Sequence, residues 1–207
     1  MEPKFNDRSN DNLAYFLNKA RENTEEAKRK AELEATTDSL TKVGNLRALD
    51  KTLSEGIRKL QSSEHKPGTD PDYFVFLLFD LNRLKFLNDT YGHPKGNEAL
   101  NRAVQQFKQE VEARGGKIFR IGGDEFAVVQ EGRGSLPQKP EEIARKIEDH
   151  INPGLFIETI DGRFDFSVSV GCATISKGEY KTIDELKKEA DAMMYANKNA
   201  RGTERGK

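Results

Sequence analysis

From Tyr73 to Phe79 every position is apolar, Tyr-Phe-Val-Phe-Leu-Leu-Phe, with no polar residue to meet water. A short run without alternation predicts a strand covered on both faces. Elsewhere apolar residues recur at helical spacing. Leu46 to Leu60 reads as a helix. Pro94 suits the first turn of another, running to about Ala113, whose face is Leu100, Ala103, Val104, Phe107 and Val111. Gly115-Gly116 ends it. Pro140 begins a helix to about Ile151, and Thr182 to Asn199 forms a last one. Gln61 to Asp72, with its Ser-Ser, Pro-Gly and Asp-Pro pairs, reads as a loop. Lys117–Ile121 and Phe126–Gln130 read as strands around a tight turn, Gly122-Gly123-Asp124-Glu125. Leu155–Ile160 and Arg163–Val170 flank Asp161-Gly162, a two-residue hairpin signal, and the second strand continues toward Ile175.

This order is β-α-β-β-α-β with an inserted hairpin strand and a helix at each end, an α+β, ferredoxin-like arrangement. The topology carries a geometric expectation. The first strand ends at Asp80. The following helix returns the chain, so the second strand runs the same way and its hairpin lies beside that end. Asp80 and Asp124, far apart in the chain, are expected at one edge of the sheet.

Residues 1–37 differ from the rest. Ser9 to Ala35 contains no Gly or Pro, and Leu13, Phe16, Leu17, Ala20, Ala27 and Ala31 fall near one face. The stretch reads as one amphipathic helix, either lying on the domain or acting as a stalk that pairs with a second copy, although Asn23 and Lys30 interrupt the heptad. The expected organisation is this helix over 1–37, a globular domain over 38–201 and a tail over 202–207.

Composition narrows the classes. The chain has 207 residues, enough for one domain with a short appendage, and Lys plus Arg (34) nearly balances Asp plus Glu (35). That balance argues against a strongly basic nucleic-acid binder. A single cysteine, Cys172, excludes an intramolecular disulfide and fits a reducing compartment. Lys4, Asp7, Arg8 and Asp11 stand where a signal peptide needs an apolar stretch, and no run is long enough to span a bilayer. A cytoplasmic protein without membrane insertion is expected. Cys172, Met193 and Met194 read as core.

Two carboxylates at one sheet edge repel unless a cation lies between them. Asp oxygens with a backbone carbonyl and water suit Mg²⁺, which at such an edge implies substrate phosphates. Gly122 and Gly123 let backbone amides approach a phosphate. Lys85 and Lys198 could add positive charge. The set resembles an Mg-nucleotide phosphoryl-transfer site. Each part also has a plainer reading: Gly-Gly-Asp-Glu as a turn, the lysines as solvated charges, His93 between Gly92 and Pro94 as turn chemistry or a substrate contact.

Four segments in register carry a more specific resemblance. Arg120-Ile-Gly-Gly-Asp-Glu-Phe126 resembles the signature of the GGDEF family of diguanylate cyclases. Phe79-Asp-Leu-Asn-Arg-Leu-Lys-Phe-Leu-Asn-Asp-Thr-Tyr-Gly-His93 resembles its strand-and-loop motif. Asp38-Ser-Leu-Thr-Lys-Val-Gly-Asn45 resembles its N-terminal turn, and Ala190-Asp191 with Tyr195 and Lys198 its last helix. The resemblance implies a fold similar to the polymerase palm. It also implies condensation of two GTP into cyclic di-GMP and two pyrophosphates, across a homodimer in which each domain holds one GTP. By carry-over, Asp80, Asp124 and the Leu81 carbonyl bind Mg²⁺, with Mn²⁺ as an alternative. Asp124 stands at the usual proton-acceptor position, and Glu125 activates the 3′-hydroxyl or holds a second metal. Gly122, Gly123, Lys85 and Lys198 match phosphate contacts; Asn88, His93 and Asn97 match the nucleoside side.

Three departures accompany the resemblance. Asn97 follows Gly96 where the family usually has Asp, replacing a charged acceptor for guanine with an amide that could also pair with adenine. Either guanine is still bound well or base selectivity is relaxed. The family's product-inhibition pair, Arg-x-x-Asp, is here Ala113 and Gly116, with Arg114 out of register, so no product inhibition is expected there. The final Gly-Arg pair reads Arg201-Gly202. The alternative to an active cyclase is a weak or silent GTP or cyclic-dinucleotide receptor module.

Overall fold

A computed structural model describes residues 8–200 except 63–65, 67, 112, 113 and 137. The tail expected at 202–207, Arg201, Ala113 and the Leu13 side chain lie outside the described residues. The described chain forms two compact units, one ending at Thr37 and one beginning at Asp38.

The first unit is helix α1 (Arg8–Thr36). Its apolar positions face water: Tyr15, Phe16, Leu17 and Leu33 are all at least 60% exposed. Thr24 donates its hydroxyl to the Ala20 carbonyl one turn back at 2.8 Å.

The second unit is built on a five-stranded mixed sheet. In chain order it contains β1 (Gly44–Asn45), α2 (Leu46–Leu60), β2 (Tyr73–Asn82), α3 (Leu84–Tyr91), α4 (His93–Val111), β3 (Lys117–Arg120) and β4 (Glu125–Gly132). There follow α5 (Pro140–Ile151), β5 (Phe156–Thr159), β6 (Gly162–Asp165), β7 (Ser167–Ser176) and α6 (Ile183–Ala200). The sheet order β1-β3-β4-β2-β7 contains the ferredoxin-like arrangement, with β1 added parallel to β3 at one edge. Asn45 starts α2 by accepting the Ala48 amide on its side chain.

β2 lies between β4 and β7 and is covered on both faces, as its unbroken apolar run requires. Tyr73, Val75, Leu77 and Phe79 join one core with α4 and α5. Phe74, Phe76 and Leu78 join a second core with α2 and α6. The first is anchored by Phe107, which packs at 4.6 Å from Phe79 and 5.3 Å from Phe126 between ring centres. Cys172 and Met194 are buried in these cores and Met193 is partly so. Burial pushes the Cys172 thiol up to about 12, so it stays protonated and apolar.

Three readings of the sequence need correction. First, the segment between Asn82 and His93 contains a helix, α3, ended by Gly92 at φ +82°; Leu84, Leu87 and Tyr91 carried its spacing. Second, Arg163–Val170 is not one strand. It divides at Phe166, whose amide donates to the Leu155 carbonyl. β6 then belongs with β5 in a separate two-stranded sheet, while β7 pairs with β2. The inserted hairpin therefore adds no strand to the main sheet. Third, Thr159 pairs with Gly162, so the hairpin turn is Ile160-Asp161, one residue earlier than Asp161-Gly162.

β7 is a sheet border, and side chains close it. The Val168 amide and carbonyl meet the Asn152 side chain. The Val170 amide donates to buried Glu148 at 2.6 Å, and the Val170 carbonyl accepts from Asn197 at 2.8 Å. The Cys172 amide meets Met193 Sδ, and Lys181 Nζ donates to the Thr174 carbonyl.

Candidate functional site

The site forms where β2 ends beside the β3–β4 turn. Asp80 lies directly across the ladder from Glu125, so their side chains share a face. The Leu81 amide donates to the Asp124 carbonyl at 3.0 Å, tying the turn to the end of β2. The topology thus brings Asp80, Leu81, Asp124 and Glu125 together at one sheet end, as the strand order predicted.

The electrostatics record the crowding. Burial, then the charges of Asp124, Asp80 and Asp191, push the Glu125 carboxyl above its ordinary value, and Lys198 opposes them. Asp191 and Lys198 both come from α6, two turns apart. Lys198 does not reach toward a separate phosphate position: its Nζ sits on Asp80 Oδ1 at 2.6 Å.

A cleft of about 390 Å³ adjoins this end. Lys85, Asn88, His93, Asn97, Gly123 and Asp124 line it, so six of the sequence-predicted residues converge. α3 brings Lys85 and Asn88; the first turn and a half of α4 brings His93 and Asn97. Gly96 lets these helices meet, since a Cβ there would collide with the Asn88 carboxamide. A Cβ on Gly122 would lie 2.6 Å from Glu125 Oε2, so that glycine gives the carboxylate its room.

Sequence reasoning assigned no role to Arg120, Asp38 or Asp191. Arg120 lines the cleft and donates to the Gly123 carbonyl at 2.7 Å. It also pairs with Asp38, whose carboxylate accepts the Thr41 amide and hydroxyl. Burial pushes Asp38 up, but the Thr41 bonds and Arg120 outweigh it and hold its carboxyl below the ordinary range. The Gly-Gly turn is thereby braced against the turn that begins the domain. A charged residue two places before the glycines was the available signal.

The donor chemistry fits a hard divalent cation: carboxylate oxygens of Asp80 and Asp124, with Leu81 tied to Asp124 through the backbone. Asn82, next to Leu81, is buried and donates to Ser167 and Ser169, which makes it a structural tie. Asn82 therefore faces β7 and not the cation.

Comparison with known proteins follows the same line. Residues 35–204 match the family described as diguanylate cyclase, GGDEF domain. The chain is similar to probable diguanylate cyclase DgcI of Escherichia coli K12, at 35% identity over 58% of this chain and 24% of that protein. It is equally similar to diguanylate cyclase DgcM of that strain, at 35% identity over 61% of this chain and 28% of that protein. It thus spans about a quarter of the length of these curated relatives. In fold it resembles the coiled coil and GGDEF domain of DgcB from Caulobacter crescentus, with a TM-score of 0.71 at 22% identity, covering 93% of this chain and 95% of that one. With its signature at the turn that meets the end of β2, the chain belongs to the GGDEF-domain family of diguanylate cyclases.

Proposed function

We propose that this domain condenses two GTP molecules into cyclic di-GMP with release of two pyrophosphates, two copies each presenting one substrate. The observation that carries the reading is the convergence of Asp80, Asp124 and Glu125 beside a cleft lined by Lys85, Asn88, His93 and Asn97. Asp80, Asp124 and the Leu81 carbonyl would hold Mg²⁺, or Mn²⁺ in its place, which supplies charge to polarise the α-phosphate.

The chain's own groups do the rest. Gly122 and Gly123 admit the triphosphate to the turn, and Lys85 offers a cation to its tail. Asn88, His93 and Asn97 hold the nucleoside. Glu125, with its raised pKa, accepts the proton of the 3′-hydroxyl. The exposed apolar stripe of α1 supports pairing with a second copy, as does the coiled coil joined to the similar domain of DgcB. Substrate GTP fits a cytoplasmic setting. No helix among the described residues is long and apolar enough to cross a membrane.

Incubation with GTP and Mg²⁺, followed by chromatography, tests the proposal. Cyclic di-GMP formed at a rate rising faster than linearly with protein supports it, whereas bound but unchanged GTP points to a receptor module. Asn97 bears on the base. Asn97→Asp restores a charge-assisted acceptor for guanine and is expected to tighten GTP by about tenfold against ATP. An unchanged GTP-to-ATP preference removes Asn97 from base selection. Near the expected product-inhibition position, Arg114 is tied to Glu110 at 2.8 Å. We expect no noncompetitive inhibition by cyclic di-GMP through that surface.

A further inference from the structure

We propose that Lys198 is the resident counter-ion of the acidic cluster, seated on Asp80 until a divalent cation displaces it and releases its ammonium to the triphosphate. The inference rests on the reading of Asp80 as a cation ligand.

The seat is specific. Lys198 Nζ lies 2.6 Å from Asp80 Oδ1, and the Asp80 side chain is only 15% exposed. Beside that pair stands Glu125, directly across the ladder, followed on the turn side by Asp124, whose carbonyl accepts the Leu81 amide at 3.0 Å. Asp80 and Glu125 face each other across the ladder, and the Lys198 ammonium seated on Asp80 offsets charge where the two carboxylates meet.

The lysine side chain can leave while its backbone stays. It is 31% exposed, with a flexible four-carbon stem and three rotatable donors. The neighbouring Asn197 is bound to the Val170 carbonyl. Gly171 is pressed so closely under α6 that a Cβ there would meet the Ala190 carbonyl. α6 therefore keeps its place, and exchange needs only side-chain rotation. A divalent ion offsets two of the negative charges where the ammonium offsets one, so it wins Asp80 when it arrives. A triphosphate entering with that ion presents the next anion to the displaced ammonium. Lys198 thus offsets the Asp80 charge before the ion binds and serves as a positioning residue afterwards.

Binding of Mn²⁺ alone, followed by electron paramagnetic resonance on the full chain without nucleotide, is the test. Lys198→Met is expected to tighten Mn²⁺ by about tenfold, because the competing cation is gone. Lys198→Arg is expected to stay near wild type. Lys85→Met removes the same charge from a residue that does not pair with Asp80, and is expected to change affinity by less than about threefold. As a second readout, nitrogen-15 spectra should contain a protected lysine side-chain resonance that is lost on adding Mg²⁺ and missing from Lys198→Met and Asp80→Asn. The inference is overturned if Lys198→Met binds Mn²⁺ no more tightly than wild type while Asp80→Asn binds it less well. An equal gain in Lys85→Met also overturns it, since overall charge would then explain the effect. If Asp80→Asn binds Mn²⁺ as well as wild type, both this inference and the cation reading of Asp80 fall.

Discussion

The molecule contains two hairpins that look alike in sequence and differ in what surrounds them. Both carry an aspartate at the turn with a glycine next to it. In the β3–β4 hairpin the turn meets the end of a central strand and the last helix, so Asp124 and Glu125 join Asp80 and Lys198. The β5–β6 hairpin stands apart in its own sheet. Its Asp161 accepts a hydrogen bond from Tyr91, and its Ile160 is 95% exposed. What lies behind it is aromatic: Phe164 stacks on Phe86, with Arg83 4.5 Å above its ring, and Arg163 lies 4.0 Å from the Phe156 ring. A turn motif alone therefore carries little chemistry. The strand order that delivers other charged groups to it makes the difference.

That contrast can be broken or sharpened by substitution. The largest effect is expected from Asp80→Asn or Asp124→Asn, each lowering cyclic di-GMP formation by about 10²–10³-fold with the circular dichroism spectrum unchanged. Asp161→Asn in the other turn should leave the rate within about twofold. A comparable loss there would erase the distinction.

Next comes Phe164→Ala, which empties an aromatic site behind β5–β6. It is expected to cost about 3 kcal/mol in urea unfolding, through lost burial and packing. A cost below about 1 kcal/mol would mean this hairpin packs more loosely than its rings suggest.

The two turn glycines give a smaller, opposed pair. Gly162 has φ +102°, so Gly162→Ala strains the backbone and should lower stability by about 1–2 kcal/mol with activity retained. Gly122→Ala presses most closely on the flexible end of Glu125, with the Glu125 Cβ at 3.3 Å, and should lower stability by less than about 1 kcal/mol while slowing catalysis.

The smallest effect on stability concerns Glu125→Gln. Because the Glu125 pKa is raised, its stabilising contribution is full below the ordinary value of 4.5 and is lost as pH rises through the folded value. Glu125→Gln should therefore raise the Tm at pH 7, by less than about 3 °C, and the gain should vanish near pH 4. A gain that persists at pH 4 would assign the effect to something other than charge.

Much of this is legible in the order of the residues. The unbroken run in β2 announces a strand covered on both faces, and Pro94 and Pro140 mark helix starts. Strand order alone then places Asp80 beside Asp124. What escapes is held in tertiary contacts. The break at Phe166 follows from a single amide bonded to Leu155, which no periodicity records. α3 is only eight residues long and sits where the spacing of Leu84, Leu87 and Tyr91 competes with a loop reading. The pairing of Lys198 with Asp80 depends on where α6 lands, and Arg120 gains its meaning only when Asp38 and Gly123 meet it.

The closed border of β7 has an outcome for assembly. Backbone groups there that would otherwise recruit a neighbouring chain are already taken by Glu148, Asn152, Lys181, Met193 and Asn197. Two molecules meeting along that side would find no ladder to extend, which blocks runaway stacking into fibrils. Any pairing between copies is left to faces whose groups are not already spent in this way.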